Sequence, residues 1–156
     1  MNKIEITVEY YEYQLEELRT DEQELIKQSI IARENAYAPN SNFRVGAALR
    51  LDNNQIIVGN NQENIASPSG LCAERVALFH YGSLNIKNEI IAIAISANNI
   101  TNDYYEIIKP CGGCLQVLVE YESKQNTAID IYLYSNDGRV WKTTGVKNLL
   151  PLMFKF

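Results

Sequence analysis

The three cysteines of the chain stand in two short clusters, and this placement restricts the fold more than any other feature. Cys72 begins the first cluster, and Cys111 and Cys114 form a C-x-x-C pair in the second. Both clusters open stretches that predict helices, over about 72–81 and 111–121. A helix N-terminus carries positive potential and free N–H groups, which favour a thiolate. Three cysteines are too few, and odd in number, for a disulfide framework, so we interpret all three as thiols.

Three thiolates brought together at two helix starts are a soft ligand set suited to Zn²⁺, with one tetrahedral position left open for catalysis. Glu74 lies two residues after Cys72, so on a helix it borders the site without binding the metal. A carboxylate there can take a proton from water and pass it to a substrate. C-A-E at 72–74 with P-C-G-G-C at 110–114 matches the zinc-deaminase signature. His80, the only histidine, could be a fourth ligand, although packing or a surface position is the commoner role.

Hydrophobic periodicity predicts alternating strands and helices along the rest of the chain. Strands are predicted over 4–8, 43–51, 55–58, 89–97, 129–134 and 139–143, and helices over 25–36, 72–81 and 111–121. Thr20 or Asp21 is the predicted N-cap of the first helix. This order predicts one domain over residues 1–156, with one sheet and helices packed on its faces.

Beyond the cysteine clusters, the sequence resembles the small cytidine deaminase family, in its homotetrameric branch with three cysteine ligands. The resemblance runs from about residue 36 to the C-terminus. It rests on N-F-R-V-G-A-A-L at 42–49, G-N-N-Q-E-N at 59–64, G-L-C-A-E-R at 70–75, P-C-G-G-C-x-Q at 110–116 and L-L-P at 149–151. It implies a three-layer α/β/α fold with a mixed, roughly five-stranded sheet and one zinc ion per subunit. It also implies hydrolytic deamination of free cytidine and 2′-deoxycytidine, as in pyrimidine salvage.

The resemblance implies a role for each matching residue. Zinc is held by Cys72, Cys111 and Cys114, and Glu74 is the catalytic acid and base. The substrate is bound by Phe43 near the pyrimidine, Asn61 and Glu63 at the ribose 3′-hydroxyl, and the Ala73 backbone N–H at the 2-oxo group. Support around the metal comes from Arg75, Pro110 and Gln116, and a C-terminal aromatic, Phe154 or Phe156, completes a neighbouring subunit's pocket.

Some of these residues have a plainer interpretation from the residue pattern alone. Phe43 could equally be a core side chain of an alternating strand. Asn61 and Glu63 could be a polar strand end before a loop. Arg75 could be a solvent-facing helix residue.

Three residues depart from the family pattern. Asn40 and Ser67 stand where the family usually has aromatic residues, and Leu115 stands where it usually has arginine. The substrate could therefore be a modified cytosine nucleoside or a cytosine-containing antibiotic such as blasticidin. A third alternative is a catalytically degenerate member whose zinc only holds the fold.

The acidic character of the chain limits the classes of partner that it can bind. The formal net charge is −5, which disfavours a nucleic acid and an anionic membrane surface. The longest strongly apolar run, residues 90–95, is far shorter than the ~20 residues that a membrane span requires. Residues 1–10 lack the apolar stretch of a signal peptide, so we expect a cytoplasmic protein.

Overall fold

The computed structural model describes residues 1–155 and contains a mixed six-stranded sheet with three α-helices. The strands are β1 (Tyr11–Gln14), β2 (Phe43–Leu51), β3 (Ile56–Asn60), β4 (Ile90–Asn99), β5 (Asp130–Tyr134) and β6 (Arg139–Thr144). The helices are α1 (Thr20–Glu34), α2 (Ala73–Ser83) and α3 (Gly112–Gln125). Short 3₁₀ turns lie at Leu15–Glu17, Ser67–Ser69 and Val146–Asn148.

The strand order across the sheet is β1-β6-β5-β4-β2-β3. β4 and β5 pair in parallel, and every other neighbouring pair is antiparallel. Two parallel neighbours need a crossover connection, and α3 lies on the segment that joins β4 to β5. The crossover therefore carries the second cysteine cluster from the sheet to the start of α3.

Helices cover both faces of the sheet. On one face, Leu49 of β2 packs in a buried cluster with Leu78 of α2 and Leu118 of α3. On the other face, Ala48 of β2 packs with Leu25 of α1. Consecutive residues of β2 thus pack into the cores on opposite faces of the sheet, because successive side chains of a strand point to opposite faces. The predicted three-layer α/β/α class is confirmed.

The sheet has six strands, one more than the roughly five that the resemblance implies, and the N-terminal strand lies later than the residue pattern predicts. Ile4, Ile6 and Val8 are exposed and form no strand, whereas Tyr11–Gln14 pairs with Arg139–Lys142 of β6. The alternation at residues 4–8 misled the prediction, since an edge strand is defined by its partner and not by its own pattern.

The N-cap of the first helix precedes both predicted residues, Thr20 and Asp21. Arg19 is the N-cap, and its backbone N–H donates to the Glu22 carboxylate at 3.0 Å. A glutamate at the third helical position closes this end of the helix without a serine, threonine or aspartate cap.

Among the helices of residues 1–155, none combines the length and the hydropathy that a membrane crossing requires.

Candidate metal centre

The three cysteines meet at the adjacent N-terminal ends of α2 and α3. Cys72 is the N-cap of α2, Cys111 is the N-cap of α3, and Cys114 lies in the first turn of α3. Their three Sγ atoms all lie within 4.8 Å of one another, and the Cys111 and Cys114 sulfurs are 3.5 Å apart. Cys114 is buried, Cys72 is half-buried and Cys111 is exposed, so the cluster opens to solvent on one side.

A glycine on β3 brings α2 close to the sheet. A Cβ added at Gly59 would lie 2.4 Å from the Ala77 nitrogen and 2.6 Å from the Ala73 carbonyl oxygen. These distances are shorter than any real contact between such atoms, so only glycine allows this approach. Because Gly59 lies just before the segment 61–63, the close packing also brings that segment near the start of α2.

The donor set fits a zinc ion. Tetrahedral coordination with Zn–S bonds of 2.3 Å separates two sulfurs by about 3.8 Å. The measured separations, 3.5 Å for Cys111 and Cys114 and at most 4.8 Å for every pair, bracket this distance. Within residues 1–155, no histidine, acidic residue or further cysteine joins the group as a fourth member. His80 lies exposed near the end of α2, outside the cluster.

Electrostatics at the cluster favours a thiolate at Cys72. Hydrogen bonding with the Cys114 thiol and with Arg75 lowers the pKa of Cys72 to about 5, against the opposing effect of burial. The Arg75 guanidinium donates to the Cys72 Sγ at 3.7 Å. The neighbouring Cys72 and burial both raise the pKa of Cys114. The cluster therefore favours a thiolate at Cys72, the sulfur that faces the arginine, over one at Cys114.

Glu74 lies beside the sulfurs without joining the ligand group. Its side chain is 4% exposed, and burial raises the pKa of its carboxyl. The charge of the neighbouring Cys72 also raises this pKa, whereas the Cys114 thiol opposes the rise. The carboxyl thus stands in the dry interior next to the place where a metal would bind, where it can exchange a proton with a bound molecule.

An open cleft of about 590 Å³ adjoins the cysteines. Its volume falls within the range of small-molecule sites. The wall combines polar and apolar surface and consists of Asn40, Asn61, Gln62, Glu63, Asn64, Ile65, Ser67, Gly70, Leu71, Cys72 and Arg75. The two positions that depart from the family pattern toward small polar residues, Asn40 and Ser67, both lie in this wall.

Asn61 and Glu63 lie in the cleft, and both side chains bond to the segment around β2. The Asn61 amide accepts from the Val45 N–H at 2.7 Å and donates to the Phe43 carbonyl at 3.0 Å. The Glu63 carboxylate accepts hydrogen bonds from the Ser41 hydroxyl and from backbone N–H groups before β2. Sequence reasoning missed Ser41, because a serine in a loop carries no signal of its own.

Phe43 and Ala73 lie at the ends of two elements that border the site. Phe43 begins β2 and is half-buried, outside the residues that line the cleft. Its ring meets Tyr104 edge-on, with 5.1 Å between centroids. Sequence reasoning also missed Tyr104, which lies in an irregular segment without periodicity. Ala73 is the first residue of α2, where a backbone N–H has no acceptor within the helix.

The remaining predicted residues lie around the second cysteine cluster, Cys111 and Cys114. Pro110 is buried directly before Cys111, and Leu115 is buried in the core below α3. The Gln116 amide donates to the Phe154 carbonyl at 2.8 Å, which fixes the C-terminal tail against α3. The Phe154 ring is 66% exposed. The alternative aromatic, Phe156, lies outside the described residues.

The sequence matches a known family over most of its length. A family model described as "Cytidine and deoxycytidylate deaminase zinc-binding region" matches residues 19–129. Cytidine deaminase of Halalkalibacterium halodurans is 40% identical over 134 residues, which cover 86% of this chain and 94% of the relative. Cytidine deaminase of Sporosarcina psychrophila is 39% identical over 134 residues, with 86% and 91% covered.

Solved structures give the same result. The crystal structure of cytidine deaminase from Burkholderia pseudomallei superimposes with a TM-score of 0.72 at 35% identity, covering 84% of this chain and 97% of that one. Cytidine deaminase from Mycobacterium tuberculosis gives a TM-score of 0.66 at 26% identity, covering 88% and 100%. The family model begins at residue 19, so β1 lies outside the part that it matches.

Proposed function

The chain belongs to the cytidine deaminase family, and we propose that it hydrolyses free cytidine and 2′-deoxycytidine to uridine and 2′-deoxyuridine, with release of ammonia. The observation that carries this proposal is the group formed by Cys72, Cys111 and Cys114 with Glu74 beside it, within a zinc-binding family match. Zinc fits this group of three thiols and is the cofactor of the reaction.

Cys72, Cys111 and Cys114 hold the zinc ion, which when bound supplies a Lewis acid that makes water a nucleophile at neutral pH. Glu74 accepts the two protons of the attacking water in turn, and it delivers the first to N3 of the cytosine ring and the second to the amine that departs as the C4–N bond breaks. Burial of Glu74 supports this role, because a carboxyl in a dry site exchanges protons with the substrate and not with bulk solvent.

Residues in the cleft and at its border hold the nucleoside in this proposal. The Ala73 backbone N–H, which has no acceptor within α2, donates to the 2-oxo group of the base. Glu63 accepts from the ribose 3′-hydroxyl. Asn61 donates to the same sugar through the N–H that remains after its bond to Phe43. Phe43 packs near the pyrimidine ring.

Spectrophotometric assay of the purified protein tests this function. Protein of known zinc content is given cytidine and 2′-deoxycytidine, before and after treatment with a chelator. We expect loss of the cytosine absorbance with untreated protein and a large reduction after zinc removal. Absence of turnover of either nucleoside by zinc-loaded protein would refute the proposal.

A modified cytosine compound is the second candidate substrate, and the composition of the cleft favours it. Amide and hydroxyl side chains, including Asn40, Gln62, Asn64 and Ser67, line the wall. Such groups can bind polar substituents that an aromatic wall would exclude. A panel of substituted cytosine nucleosides and cytosine-containing antibiotics decides between the two. Cytidine as the fastest substrate would exclude this candidate.

We also propose a homotetramer in which Phe154 reaches a neighbouring pocket. Support comes from the exposed ring of Phe154 and from an apolar groove of about 480 Å³ between α2 and α3, lined in part by Phe79 and Val117. Light scattering after gel filtration measures the assembly directly.

We place the protein in the cytoplasm, where thiol ligands stay reduced.

A further inference from the structure

The Ser41 hydroxyl connects two residues of the proposed substrate site. Its Oγ donates to Glu63 Oε1 and accepts from the Phe43 backbone N–H at 3.0 Å. The other carboxylate oxygen, Oε2, accepts from the backbone N–H of Asn40 at 2.8 Å and of Ser41 at 3.3 Å. Both oxygens of Glu63 are therefore fixed by the loop that precedes β2.

These bonds leave the carboxylate ionised and partly unsatisfied. The Ser41 hydroxyl lowers the pKa of Glu63 most. Burial, the next largest effect, opposes it, and the two backbone N–H groups add to the lowering. An ionised carboxylate has about four acceptor positions. Three donors of the loop occupy three of them, so acceptor capacity remains for one donor from the cleft.

The backbone ties the same loop to the segment that carries Glu63. The Glu63 N–H donates to the Tyr37 carbonyl at 2.8 Å, and the Tyr37 N–H donates to the Asn61 carbonyl at 3.0 Å. At the other end of the loop, Asn42 has a left-handed backbone, with φ of 56°, and its carbonyl accepts from the Ile100 N–H at 3.0 Å. The loop is thus held at both ends, and the hydroxyl of Ser41 lies at a defined place against the carboxylate.

We propose that Ser41 is a positioning residue of the sugar subsite, which fixes the Glu63 carboxylate so that it accepts from the 3′-hydroxyl of the nucleoside. This inference rests on the proposed function and deepens it. A free glutamate side chain would lose rotamer freedom on binding the sugar, and Ser41 removes much of that loss in advance.

The test compares a nucleoside with and without the 3′-hydroxyl. We expect kcat/KM of the wild-type protein to be higher for cytidine than for 3′-deoxycytidine. In Ser41→Ala, this preference falls about tenfold, since a charge-assisted hydrogen bond no longer aligns the carboxylate. Ser41→Thr keeps the hydroxyl and retains most of the preference. Ser83→Ala, at an exposed serine whose hydroxyl donates to the His80 carbonyl, serves as the matched control and behaves as wild type.

Several results would overturn the inference. An equal loss on both nucleosides in Ser41→Ala indicates a general structural role, and an unchanged preference indicates no role. If Ser41→Ala does not fold, Ser41→Cys carries the same expectation, because a thiol is a weak donor. Calorimetric titration with uridine and 3′-deoxyuridine gives the same preference without turnover. Failure of the proposed function, by contrast, shows as no deamination by the wild-type protein.

Discussion

The Arg75 guanidinium donates a hydrogen bond to the Cys72 sulfur over 3.7 Å, from the third position of the helix that Cys72 caps. Three thiolates around one zinc ion carry an excess of negative charge, which opposes ionisation of a water at the metal. A cation bonded to one of the sulfurs offsets this excess. The pair also lies at the wall of the cleft that we propose as the substrate site.

Arg75→Gln tests this relationship. We expect kcat/KM for cytidine, or zinc affinity, to fall by about 10–100-fold, the usual effect of losing a partner of a metal ligand. The zinc content and the rate are measured on the same preparation. Arg44→Gln removes an arginine whose ion pair with Glu34 is peripheral, and it is expected to match wild type. A wild-type rate and affinity in Arg75→Gln would contradict the role.

Cys114→Ser should abolish tight zinc binding, because it removes the buried sulfur of the cluster. Metal analysis should give about one zinc per chain for the wild type and far less for the variant. Thermal unfolding should occur at a lower temperature in the variant and in chelated wild type, since a bound metal stabilises the folded state by mass action. His80→Ala is the control and should keep its zinc. Zinc loss in His80→Ala would show that the histidine is a fourth ligand.

Gly59→Ala should destabilise the protein by about 1–3 kcal/mol, as overpacking in a tight interior does. The added methyl group would lie 2.4 Å from the Ala77 nitrogen, so α2 must move away from β3. Urea unfolding of chelated protein measures the change. Gly112→Ala is the comparison, because a Cβ there meets nothing within 4 Å, and equal destabilisation by both variants would refute the packing argument.

Acid stability should depend on Glu22, which is 3% exposed on the α1 face. Its carboxylate accepts from the Tyr132 hydroxyl at 2.6 Å and from the Lys142 ammonium at 2.8 Å. Burial raises the pKa of Glu22, but the hydrogen bonds from Lys142 and Tyr132 outweigh it, and the pKa lies below its ordinary value of 4.5. A depressed pKa stabilises the folded state above that value, and the stabilisation is lost as the pH falls through the folded pKa.

Glu22→Gln should therefore lose less free energy of unfolding than wild type between about pH 6 and pH 3. The comparison uses chelated protein, so that zinc release does not contribute. Glu24→Gln, on the exposed side of the same helix, should follow the wild-type curve. A wild-type slope in Glu22→Gln would refute this account of acid stability.

Local patterns predicted much of the fold. β2 has the bounds that its alternation predicts, and α2 and α3 begin within a residue of the predicted positions. The residues of the cysteine cluster follow from spacing and from the helix starts, because both signals lie within a few residues. The position of β1 could not be predicted from local patterns, because its pairing with β6 joins residues more than a hundred positions apart.

The finer structure of the cleft could not be predicted for a related reason. The bond between Ser41 and Glu63 and the ring contact between Phe43 and Tyr104 join loops whose sequences have no periodicity. Leu115 shows the opposite case. It stands where the family usually has arginine, and the structure buries it in the core. The leucine therefore contributes to core packing and leaves the cleft wall unchanged.

In the proposed reaction, Glu74 moves the protons of a hydrolytic deamination. The most direct measurement is the rate of cytidine deamination by Glu74→Gln of known zinc content, with Glu16→Gln at an exposed site as the control. We expect Glu74→Gln to retain about one zinc per chain and to lose about 10²–10⁴-fold in kcat, while Glu16→Gln keeps the wild-type rate. Deamination at the wild-type rate by zinc-loaded Glu74→Gln would contradict the account.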